Sequence, residues 1–160
     1  MRQSVNKYRY FIFQNTFLCK TEFRSTAKEG MKMPTWAQYR DIARGRGALA
    51  YQLFIVESVA KAPPEKIQQI LPLHLAYQKE MEAAGKLFLA GPVSDETGTA
   101  MSGGGLIIYR AEDIEEARAI AAKDPMHKQG GRSFTVRAWL VNEGSLNIQL
   151  RLSEQRGGFD

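Results

Sequence analysis

His74 and Asp124 are the two residues of this chain whose types and settings offer chemistry. The chain has two histidines, and histidine is the side chain that ordinarily gives and takes protons near neutral pH. His74 interrupts the apolar stretch Pro72-Leu73-His74-Leu75-Ala76-Tyr77, and Asp124 stands where a second helical pattern ends, at Asp124-Pro125. If the fold joins them, an imidazole and a carboxylate make a base held in orientation by an anion. Such a pair would make this chain an enzyme.

The elements that must position the pair emerge from periodicity and punctuation. Thr35 with Gln38 three residues on is a capping-box arrangement. A short amphipathic helix over residues 34–47 follows, with Trp36, Tyr39, Ile42 and Ala43 on one face. Residues 49–57 read as a strand. Pro63 and Pro64 punctuate, and a helical pattern runs to Ala84, stopped by Gly85. Because proline inside a helix removes a hydrogen bond and clashes with the preceding turn, the spacing predicts a short lead-in over residues 65–71. The main helix then begins at Pro72 as its first residue and buries Leu73, Ala76, Tyr77, Met81 and Ala84. In that position His74 feels the positive end of the helix dipole, which disfavours an imidazolium.

Residues 86–90 form a second strand ended by Gly91-Pro92, residues 94–103 a polar loop, and Leu106-Ile107-Ile108-Tyr109 the heart of a third strand. A helix over residues 112–123 buries Ile114, Ala117, Ile120 and Ala121 and ends before Pro125. From Ser133 to Val141 the pattern alternates, with Phe134, Val136, Ala138 and Leu140 on one face. Asn142-Glu143-Gly144 is a turn, an added strand follows over residues 146–152, and residues 155–160 form a tail. The order β, α, β, β, α, β is that of a ferredoxin-like α+β fold, with both helices on one sheet face. Residues 48–154 make up this α+β domain. Its other sheet face is also apolar and needs a cover; a second subunit, making a homodimer or higher oligomer, is the economical one.

Composition narrows the class. With 44% hydrophobic and 24% charged residues the chain has the make-up of a soluble globular domain. Residues 1–50 hold ten Lys or Arg against three Asp or Glu, and the remainder twelve against fourteen, so the basicity belongs to the N-terminal third. The domain has no nucleic-acid footprint, and no apolar run is long enough to span a membrane. Residues 1–33 are expected to be a disordered leader, with Met31 and Met33 as alternative starts. Cys19, the one cysteine, is read as a bystander thiol, and the apolar residues 8–13, interrupted by Gln14, Asn15 and Thr16, fail as a signal peptide. The chain is expected to be cytoplasmic.

Pro72-x-His74-Leu75-Ala76-Tyr77, Ala84-Gly85-Lys86-Leu87, Leu89-Ala90-Gly91-Pro92, Asp124-Pro125 and Trp139, in this order, resemble the YCII-related (YciI-like) domain family. The resemblance covers about residues 49–141. It implies a dimeric α+β barrel and a His–Asp active site at His74 and Asp124. Characterised relatives include a dehydrochlorinase acting on a chlorinated muconolactone-type intermediate. Family members commonly carry Arg directly before Pro-x-His; here Leu71 stands there. Arginine would clamp a substrate carboxylate, so an acid substrate would have to find its cation at Arg132 or Lys128.

Other candidates are weaker on chemical grounds. His127 falls in the polar run Lys128-Gln129-Gly130 and reads as a surface-loop histidine, and the histidine and Asp124 spacings match no metal motif. Gly103-Gly104-Gly105 precedes a strand, not the helix a phosphate loop requires. Tyr51, Phe54, Phe88 and Met126 are expected to line a substrate pocket, with Arg132 as its cation. Together these features predict a cofactor-independent, metal-free enzyme in which His74 moves a proton in the elimination or isomerisation of a small carbonyl or lactone-type compound. The alternative is a non-catalytic dimeric module that binds a small ligand or partner, which predicts a closed pocket and no His–Asp contact.

Overall fold

Thr35 starts the first helix through a complete capping box. The Gln38 amide donates to Thr35 Oγ1 at 3.3 Å and the Thr35 amide to Gln38 Oε1 at 2.8 Å. The computed structural model describes residues 33–151, 153 and 156–159; Cys19 and the expected leader, apart from Met33, lie outside the described residues. Helix α1 (Trp36–Gly45) buries Ala43 against Ala50 and Leu140, with Tyr39 beside them. Trp36 and Ile42 stay largely exposed, so its buried face is narrower than its periodicity predicts.

Strand β1 (Tyr51–Ala60), helix α2 (Pro64–Ala83), strands β2 (Leu87–Ser94) and β3 (Met101–Tyr109), helices α3 (Ile114–Lys123) and α4 (Pro125–Lys128), and strand β4 (Arg132–Val141) complete the core fold. The sheet order is β2-β3-β1-β4, antiparallel throughout. This is the ferredoxin-like α+β arrangement that the element order predicts. Strand β5 (Ile148–Arg151) is the added strand; it pairs with β6 (Arg156–Phe159), within the expected tail, in a separate two-stranded sheet. No helix among the described residues is long and apolar enough to cross a membrane.

Side chains alternate across β1 and β4, and the register puts Phe54, Val56 and Ser58 on one face with Ala138, Val136 and Phe134. That face carries the core: Val56, Ile107 and Tyr109 meet Ala121, flanked by Met81, Leu87, Ile120, Phe134 and Val136. The opposite face presents Tyr51, Ile55, Ile108, Leu89 and Trp139 by the same alternation. Leu89 is 58% and Trp139 38% exposed.

Helix α2 departs from the predicted start. Its first residue is Pro64, and it runs through Pro72 without a break. A proline forfeits the bond to the carbonyl four residues back, here Gln68. Both residues are exposed, so water can serve that carbonyl. His74 therefore sits in the third turn of α2, beyond the reach of the N-terminal dipole.

The buried stripe of α2 also differs. Leu73 and Ala76 are exposed, while Ile70 and Gln78 are buried and Ile67, His74, Tyr77 and Met81 are half-buried. These six follow the helical period; three of them are polar. Strand β2 continues through Gly91-Pro92 to Ser94, and β3 begins at Met101, which shortens the predicted loop to residues 95–100. An edge strand tolerates Pro92 because its missing N–H need not face a neighbour.

Candidate active site

Asp124 is fully buried because it serves two helices at once. It closes α3 and caps α4, with Pro125 at the first position of the new helix. A carboxylate at a helix C-terminus is unfavourable; the restart of the helix supplies the compensation. The Met126 amide donates to Oδ1 at 2.8 Å and Gln78 Nε2 to Oδ2 at 2.8 Å.

The third donor is His74. Its Nδ1 lies 2.9 Å from Asp124 Oδ1 and 2.8 Å from Oδ2. An ionised carboxylate only accepts, so Nδ1 carries the hydrogen, and in the neutral ring Nε2 is the bare base. Burial works to raise the Asp124 carboxyl, but the bonds from His74 and the Met126 amide outweigh it and hold the group below its ordinary value. Asp124 is thus the fixed anion of the site.

Two tyrosines lie close to this carboxylate. Tyr77 donates to the Ile120 carbonyl at 2.8 Å; burial, then the charges of Asp124 and Glu80, push its hydroxyl up to about 12. Tyr109 is fully buried and pushed up too, chiefly by burial, and its oxygen is 3.4 Å from Gln78 Nε2. Both remain neutral phenols at pH 7.

His74 borders a cleft of about 840 Å³ between α2 and the β2–β3 half of the sheet. Leu71, Leu75, Leu87 and Phe88 give it apolar walls, and Ser58 and Gly105 lie opposite each other along it. Phe88 occupies an irregularity where β2 shifts register between Leu87 and Leu89, which re-aims a side chain. Of the predicted pocket residues, Phe88, Met126 and Arg132 line the cleft. Tyr51 and Phe54 do not. Tyr51 lies on the outer sheet face and Phe54, 1% exposed, is sealed in the core, because neighbouring positions on a strand point to opposite faces. Lys128 is exposed and outside the cleft lining, whereas Arg132 and Lys79 both border the cleft.

His127 corrects a second expectation. It is 9% exposed, its ring lies 4.5 Å from that of Phe134, and its two nitrogens bond Ala121 and Ser58. Helix α4, too short to announce itself by periodicity, turns the residue inward. Gln78 was equally hidden in the sequence, since a glutamine on a helix carries no signal of burial. Its one trace is the i, i+4 spacing from His74, which puts both on one helix face.

Burial pushes the His127 imidazole below its ordinary 6.5. The unfolded chain therefore takes up a proton near pH 6.5 that the folded chain refuses, and stability falls as pH drops below that value. Asp124 acts lower on the scale: its contribution is present above its unfolded 3.8 and is lost as pH falls further. Thermal midpoints are expected to decline as pH falls below 6.5, with the His127 ring protons titrating below that ordinary value by NMR. A His127 resonance titrating at its ordinary value would contradict this. Among the described residues, no three His, Cys, Asp or Glu side chains converge as a metal site.

Helices on one face of a four-stranded antiparallel sheet, and a histidine joined to a buried carboxylate between them, define a small α+β protein of the ferredoxin-like class. Within that class the chain belongs to the YCII-related domain family, whose sequence model matches residues 50–140. It is similar to the uncharacterized protein YjpA of Bacillus subtilis, with 30% identity over 70 residues, 44% of this chain and 75% of that one. Among solved structures it is similar to the 5-chloro-2-hydroxyhydroquinone dehydrochlorinase TftG of Burkholderia phenoliruptrix, in complex with 2,5-dihydroxybenzoquinone. The identity is 28% and the TM-score 0.43, over 54% of this chain and 92% of that one. An antibiotic biosynthesis monooxygenase aligns at 14% identity and a TM-score of 0.36, over 59% of this chain and all of the other.

Proposed function

We propose that this protein is a small enzyme that moves a proton at a carbon next to a carbonyl. The observation that carries the reading is His74 Nδ1 within 2.9 Å of both oxygens of a fully buried Asp124, on the wall of an open cleft. Nε2 removes the proton, and Asp124 holds the ring and stabilises the imidazolium that forms. The electron pair moves onto the carbonyl oxygen. An elimination then expels a leaving group from the adjacent carbon, whereas an isomerisation returns the proton from Nε2 to a different carbon. Arg132, on the same cleft, is the group suited to the developing enolate charge. Neither route requires a cofactor.

The cleft walls favour a small, largely apolar ring such as an unsaturated ketone or lactone. The His–Asp contact and the open cleft count against a non-catalytic module. The test incubates the full chain in D₂O with a panel of small cyclic ketones and lactones and follows deuterium at the α-carbon by NMR. Enzyme-dependent exchange on a subset is expected; no exchange above buffer across the panel would defeat the reading.

The outer sheet face supports self-association within the same proposal. Tyr51, Leu89 and Trp139 are too large and too apolar to leave together in water without a partner. Sedimentation is expected to give a dimer or higher oligomer, and Trp139→Glu to shift it to monomer. A monomeric wild type would refute this.

A further inference from the structure

Ser58, on the same cleft, forms a second pair with the buried His127, and His74 plays no part in it. Ser58 Oγ is 2.8 Å from His127 Nε2, and His127 Nδ1 is 2.7 Å from the Ala121 carbonyl oxygen. A carbonyl only accepts, so Nδ1 carries the ring hydrogen and Nε2 is bare in the neutral imidazole. Ser58 must then donate to Nε2. The tautomer is thus fixed by a third group, the arrangement that activates a hydroxyl nucleophile.

Position favours the same use. Ser58 is a buried residue that still borders the cleft, and it stands between Gly105 on β3 and Phe134 on β4. Arg132 also lines the cleft, with Nη1 3.5 Å from the Ser58 carbonyl oxygen, a cation available to the oxyanion that forms on the acyl oxygen when Oγ adds. His127 is buried against Phe134 and cannot swing away.

We propose that Ser58 is an acyl-accepting nucleophile, with His127 as its base, acting on small esters whose acyl group enters the apolar cleft. Ser58 Oγ adds to the acyl carbon while its proton passes to His127 Nε2. The ester C–O bond then breaks, and Nε2 returns that proton to the departing alcohol oxygen, leaving acyl-Ser58. Water adds to the acyl carbon, giving one proton to Nε2; the bond to Ser58 breaks, and Oγ recovers the proton as the carboxylic acid leaves. No oxidant, reductant or metal enters the balance.

The test treats the full chain with 4-nitrophenyl acetate. A burst of one equivalent of 4-nitrophenolate per chain is expected, with a single acetyl adduct that peptide mass spectrometry places on Ser58. Ser58→Ala and His127→Gln are expected to slow the burst by about 10²-fold or more. Acetylation scattered over lysines, no adduct on Ser58 in the wild type, or an unchanged burst in folded Ser58→Ala would each overturn the proposal. The wild-type adduct decides the matter even if a variant fails to fold. Because the chemistry bypasses His74, its failure leaves the proton-transfer reading untouched, and the reverse.

Discussion

Asp124→Asn is expected to lower stability by about 3 kcal/mol and to slow His74-dependent proton transfer by roughly 10³–10⁴-fold. Three donors converge on this carboxylate: His74 Nδ1, Gln78 Nε2 and the Met126 amide. An asparagine keeps one accepting oxygen and turns an NH₂ group against at least one of those donors, with no water to relieve the conflict around a side chain that is fully buried. The second effect is on the tautomer. Without the anion nothing holds the His74 hydrogen on Nδ1, and the ring loses the charge that stabilises its protonated form in the reaction. Urea unfolding at pH 7.5 gives the stability term, and α-carbon deuterium exchange gives the rate. A stability change within about 0.5 kcal/mol, the range of an ordinary surface substitution, would mean that the carboxylate does not anchor this region.

The second large effect belongs to His74 and needs two variants. His74→Ala is expected to reduce proton transfer by about 10²–10⁴-fold, the usual contribution of a general base. It also strips one donor from a buried carboxylate, costing about 1–3 kcal/mol, so the rate loss alone leaves the cause open. His74→Gln separates the two. A glutamine amide can still donate to Asp124 from the third turn of α2 but offers no basic nitrogen. Stability close to wild type with proton transfer still lost is the expected result, and it distinguishes a base from a brace. Retained exchange in a folded His74→Gln variant would remove His74 from the chemistry.

Much of the fold was legible because local patterns carried it. The alternation of Phe134, Val136, Ala138 and Leu140 identifies the inward face of β4, and the observed register places these residues accordingly. The Thr35–Gln38 capping box forms as read, and Gly85 follows α2 with φ +70°, a backbone conformation that suits glycine. Pro72 misled because a local rule met an exposed helix face, where the orphaned Gln68 carbonyl is cheaply solvated. Tyr51 and Phe54 misled because a strand position sets which face a side chain takes but not what covers that face.

The sequence by itself determined the order of the main strands and helices and the faces of the sheet. These depend on periodicity, turn chemistry and residue type, all short-range properties. Only the tertiary structure decided that α4 restarts at Asp124, that Gln78 shares its carboxylate, and that His127 turns inward to meet Ser58 across 69 positions of chain. Such meetings follow from how α2, α3 and α4 settle on one sheet face. Buried polar groups then have to find partners wherever that packing has put them.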